Sequence, residues 1–122
     1  MNHGHGWFDM VLDWEALKDW LSSEFHVSHA VLHIHLGLAI YLLTSLLLRR
    51  PLGSVMPWLV VMVLELVNET SDFIRYYVSA WPWTASNTIE DIVNTLFWPT
   101  VLVLLFRRQR AAAATRIIPP NS

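Results

Sequence analysis

Cysteine is absent from the sequence, which excludes disulfides and thiolate metal sites and leaves the redox compartment open. Charge is scarce as well. Only 15% of the 122 residues are charged, against about 25% in an ordinary soluble domain, while 54% are apolar and seven are Trp. That balance points to a membrane. The formal net charge of -2 is too small to imply a nucleic-acid partner. The opening MNHGHGWFDM has no basic region followed by an apolar core, so no cleavable signal peptide is expected. No internal repeat and no long linker is present, and the length allows a single domain, 1–122.

Where the few charges stand is informative. Asp9, Asp13, Glu15, Asp19 and Glu24 crowd the N-terminal fifth, and most basic residues form two clusters, Arg49-Arg50 and Arg107, Arg108, Arg110, Arg116. Between Phe25 and Leu48 there is no Asp, Glu, Lys or Arg. A bilayer core takes about 20 mostly apolar helical residues, so 25–48 is expected to be a first transmembrane helix, stopped at Arg49-Arg50-Pro51. A second span is expected over 57–78, with Pro57 in its first turn, and a third over 88–106, ending at RRQR. Both have one apolar and one polar half. An acid at a helix centre costs about 2.5–3.5 kcal/mol on insertion scales, so these two spans need each other.

Residues 7–23 read as an amphipathic interfacial helix. Trp7, Val11, Trp14, Leu17 and Leu21 fall near one face, and Asp9, Asp13, Glu15 and Asp19 occupy the rest. Residues 111–122 read as a flexible tail. The predicted fold is all-α: a three-span integral membrane bundle with an N-terminal helix on its surface. Both arginine clusters mark one side, by rule the cytoplasm, which puts the N-terminus outside, the C-terminus in the cytoplasm and a multi-pass chain in the cell membrane.

In that arrangement the costly residues of all three spans reach the same depth. His26, His29 and His33 share a stripe that Gly37 extends with a small residue, letting another helix approach. On the second span Glu65, Asn68, Glu69 and Asp72 form a stripe, with Arg75 a turn beyond. On the third span the stripe is Asn87, Glu90, Asp91 and Asn94. Together they predict one outer-leaflet polar pocket of Glu65, Asn68, Glu69, Asp72, Arg75, Glu90, Asp91 and Asn94. Pro99 removes one backbone hydrogen bond from the third span and should kink it near Thr95, whose freed carbonyl a neighbouring helix can satisfy.

Three readings of this constellation stay open. It is a hydrogen-bonded network holding the bundle, a metal site, or a pocket for protons or a polar ligand such as a lipid headgroup. Imidazole and carboxylate ligands suit zinc or iron, and His29, His33, Glu65, Glu69 and Asp91 are the candidate ligands. No HExxH and no Glu-x-x-His pair is present, so the spacing permits a metal without diagnosing one. A haem held by two histidines is disfavoured, because all membrane-depth histidines lie on one span. The leading function is non-catalytic: ligand binding, or stabilising a complex, by a small polytopic membrane protein. A metal-dependent membrane enzyme and an accessory subunit of a larger membrane complex are the alternatives.

The succession of ELVNETSDFIR and IEDIVNTLF in the last two spans resembles the VanZ-like small membrane proteins of bacteria, in which a Glu-x-x-Gln-type motif and an Arg precede Asp and Asn in the next helix. The resemblance covers roughly 59–106 and maps onto Glu65, Asn68, Arg75, Asp91 and Asn94. It implies a helical bacterial inner-membrane protein. It departs in Asn68, where the family has Gln, and in Phe97 and Trp98, where a Gly is expected near Asn94, and the His-rich first span lies outside it.

Overall fold

The computed structural model describes residues 6–117. It contains four helices and, among the described residues, no strand: α1 Trp7–Glu24, α2 His29–Leu47, α3 Val55–Ser79 and α4 Ala85–Ile117. The expected all-helical fold is present, with corrected boundaries. The first expected span opens at His29, because the Ser28 side chain accepts from Val31 N at 3.3 Å and caps α2 there. Before it, His26 takes a left-handed φ of 50°, and Val27 N–H donates back to Ser22 O, closing α1. His26 is therefore in the turn and leaves the histidine stripe. The expected tail is also corrected: 111–117 continues α4, an alanine-rich stretch of good helix formers. Residues 118–122 lie outside the described residues.

Only α2 and α4 are long and apolar enough to cross a membrane; α3 is not, so the expectation of three spans is not met on that measure. The cause is the second half of α3, which carries Glu65, Glu69, Asp72 and Arg75. The 19 residues of α2 measure about 28 Å at 1.5 Å each, close to the roughly 30 Å apolar core of a bilayer. Only 22% of its most apolar window is buried, and 17% of that of α4, so most of this apolar surface faces outward.

Helices α2, α3 and α4 pack mutually, with α2 on α4 the most extensive contact, and α1 rests on α3. The core is small: Tyr41, Val61 and Val103, flanked by Ile40, Leu52, Trp58, Leu96 and Leu102. Trp58 Nε1 donates to Thr100 Oγ1 at 2.9 Å, and the Tyr41 hydroxyl donates to the Leu52 carbonyl. At Gly37 α2 and α4 approach so closely that any Cβ would collide with the Thr95 carbonyl. That carbonyl is the one Pro99 leaves without an i+4 donor. The two signals read separately in the sequence, a small residue and a membrane proline, meet at one point. Arg50, Arg107 and Arg110 line a common hollow at one end of the bundle, and the acid-rich half of α3 lies toward the other.

Candidate functional site

The polar residues of α3 face two ways. Ser71 and Arg75 turn to α1, and α1 meets them with its charged stripe rather than its apolar one. Glu15 and Lys18 are buried, at 3% and 6% exposure, while Trp7, Met10 and Trp20 are exposed. The expected amphipathicity of 7–23 holds only in part: Asp9 and Asp13 are exposed and Val11 and Trp14 turn toward the bundle, but Glu15 and Lys18 are buried. Lys18 Nζ lies 2.9 Å from Glu15 Oε1 and donates to Asn68 Oδ1 at 2.9 Å and to Asp72 Oδ1. Arg75 donates to Glu15 Oε2 at 3.2 Å and to Asp19 Oδ2 at 2.7 Å, and stacks 3.7 Å over the Trp81 ring. Ser71 Oγ donates to Glu15 Oε1 at 2.7 Å, and Trp14 Nε1 to Asn68 Oδ1 at 3.1 Å. Burial alone would push the Glu15 carboxyl up. Hydrogen bonds with Asp72, Lys18 and Ser71, together with the Lys18 charge, outweigh that and hold it below its ordinary value.

The second cluster lies between α2, α3 and α4. His33 is its centre, 7% exposed. Its Nδ1 is 2.9 Å from Thr95 Oγ1 and 3.3 Å from Glu65 Oε1, and its Nε2 is 3.6 Å from Asp91 Oδ2. The Glu65 contact is within ion-pair distance but misaligned for a hydrogen bond, so the Thr95 hydroxyl is the partner of Nδ1. His33, Glu69 and Asp91 each place a ligand atom within 4.8 Å of the others. Two ligands about 2.1 Å from one zinc ion stand no more than about 4.2 Å apart, so the His33–Asp91 spacing already suits a shared ion.

Among the described residues, three buried side-chain atoms lack hydrogen-bond partners: Glu65 Oε1, Asn68 Nδ2 and Glu69 Oε1. They border two cavities rather than the one pocket expected. A polar cavity of about 320 Å³ is lined by His29, Glu69, Asp72, Arg75, Glu90 and Asp91. An apolar cavity of about 580 Å³ takes Glu65 and Asn68 into its wall, with His33 beside them. Of the five candidate metal ligands, His33, Glu69 and Asp91 come together, Glu65 lies on the other side of the imidazole, and His29 is exposed on the rim of the polar cavity. Asp72 and Arg75 belong mainly to the α1 network, Glu90 is exposed, and Asn94 is half-buried a turn beyond Asp91. The five residues singled out by the VanZ-like resemblance are thus divided between the two clusters.

Lys18 is the residue the sequence reading passed over. It is the only lysine in the chain and stands three residues after Glu15 on a helix otherwise crowded with acids. That isolation was the available signal. No family model, curated protein or solved structure matches the chain.

Proposed function

We propose that the chain is a small multi-pass membrane protein that binds a divalent cation, of the zinc or ferrous-iron kind, through His33, Glu69 and Asp91. The observation that carries this reading is the Glu69 side chain, whose buried Oε1 has no partner and which offers a carboxylate oxygen within 4.8 Å of ligand atoms of an imidazole and a second carboxyl. Burying carboxylates without compensation is costly, and two of them with an imidazole match the charge of a divalent ion. The imidazole favours zinc or iron over calcium or magnesium, which take oxygen ligands.

In this reading α3 is a third span. Its carboxylates turn inward, and its outward residues Val63, Leu66, Val67 and Phe73 are apolar, so the helix fails as a span only when its two faces are averaged. α1 lies at the outer interface with its aromatic face toward lipid. The shared arginine-lined end faces the cytoplasm, which leaves the N-terminus outside. The VanZ-like pattern of Glu65, Asn68, Arg75, Asp91 and Asn94 fits such a protein.

Elemental analysis of protein purified in detergent without a His-tag tests the proposal. About one equivalent of zinc or iron is expected, and it should be lost in Glu69→Gln and Asp91→Asn. Metal-free protein that also fails to take up added zinc overturns it.

A further inference from the structure

The apolar cavity is a consequence of how α1 docks. The helix is bolted to α3 through Glu15, Lys18 and Asp19, which holds its Trp14 side over a gap facing α2. The gap is walled by Leu32, Leu36 and Ile40 of α2 and by Leu64 and Val67 of α3. Its lining on α2 runs from His29 to Ile40, about 16 Å at 1.5 Å per residue. That is half the roughly 30 Å apolar thickness of a bilayer, the depth of one leaflet and of one lipid tail. Its size falls within the usual range of small-molecule sites, about 300–1,000 Å³.

At the wall of this apolar space stand two unpartnered atoms of opposite kind, the donor Asn68 Nδ2 and the acceptor Glu65 Oε1. Both side chains are at least nine-tenths buried. They are three residues apart on α3, so they are neighbours on one face. A bare alkyl chain would leave both unsatisfied. An anionic head would meet Glu65, while Lys18, the cation in the lining, is already engaged by Glu15, Asn68 and Asp72; a quaternary ammonium would offer Asn68 nothing. A hydroxyl donates and accepts at once.

We infer that this cavity binds a single-chain lipid-like alcohol, its tail between α1, α2 and α3 and its hydroxyl donating to Glu65 Oε1 while accepting from Asn68 Nδ2. Of the three proposed cation ligands only His33 reaches the wall of this cavity, while Glu69 and Asp91 open into the other space, so the cavity does not need the cation.

The test uses the full chain in phospholipid nanodiscs and a long-chain alkanol carrying a photoactivatable diazirine in its tail. Labelling is expected to concentrate on Leu36, Ile40 and Leu64 and to disappear in Leu64→Trp, which fills the cavity. Asn68→Asp keeps the Oδ1 that serves Lys18 and Trp14 but replaces the free donor by an acceptor. It should weaken labelling about tenfold, the scale of one lost hydrogen bond, with hydrogen exchange over α1 unchanged. Label spread evenly over lipid-facing positions such as Leu46 and Leu104 would mean annular lipid only and overturn the site. Equal labelling by the analogue without a hydroxyl would overturn the assignment of the head. Chelator and Glu69→Gln should leave labelling intact; a loss there overturns the separation of the two cavities. Labelling that persists in a protein unable to take up zinc discards the cation and retains the alcohol site.

Discussion

Between α1 and α3 two cations, Lys18 and Arg75, face three acids, Glu15, Asp19 and Asp72, and each of those acids receives a hydrogen bond or ion pair. Less than a turn away, where α3 meets α2 and α4, three carboxyls crowd a single imidazole, and two of their buried oxygens have no donor. Both regions use the same residue types on the same helix. The first has the satisfaction expected of a structural joint, where polar groups bind one element to another. The second lacks it, and a polar cluster left short of partners stands ready for a ligand. This contrast, rather than the count of acids, separates the joint from the candidate site.

The comparison breaks most visibly at Lys18. Lys18→Met should leave half-buried Asp72 without a cation and Glu15 with Arg75 as its remaining one, costing about 3 kcal/mol, the low end for breaking a buried pair. The expected readout is loss of hydrogen-exchange protection over Trp7–Glu24, and retained protection would show that apolar contact alone holds α1. Gly37→Val comes next. Its side chain must displace the Thr95 backbone, an overpacking expected to cost about 1–3 kcal/mol, visible as a lower melting temperature in detergent.

Matched carboxyl substitutions sharpen the difference. Glu15→Gln should destabilise the joint by about 1–3 kcal/mol, since it removes the acceptor of charged hydrogen bonds. Glu69→Gln should be neutral or slightly stabilising, yet weaken zinc by more than the roughly 10–100-fold typical of an outer-shell partner. Equal melting shifts for the two would remove the distinction drawn between the regions. A pH titration gives a further measure. The folded-state pKa of Glu15 is depressed, so its contribution is fully present above the ordinary value of 4.5 and is lost as pH falls through the depressed one. The Glu15 share of α1 protection, read as the difference from Glu15→Gln across the pH range, should therefore be constant near neutrality and shrink only in acid. The smallest effect belongs to His29→Ala, an exposed position, expected within about 0.5 kcal/mol in stability.

The sequence by itself determined the helices and the level at which their polar halves meet. An uncharged run of bilayer length with arginines after it acts through local geometry and solvation, which read directly from residue order, although the Ser28 cap inside that run went unread. Gly37 and Pro99 were legible for the same reason, since each changes the backbone where it stands. Tertiary structure alone decided the partners. Glu65, Asn68, Glu69, Asp72 and Arg75 cover too wide an arc of α3 to face one neighbour, so the helix shares them between α1 on one side and α2 with α4 on the other. Which way α1 turned was also undecided by its pattern. Exposed to water it would show its acids, but docked on α3 it buries Glu15 and Lys18 and leaves Trp7 and Trp20 largely exposed. The energy of a buried charge depends on the partner it finds, and the partners of Lys18 and Glu15 on α3 lie more than 50 positions away in the chain.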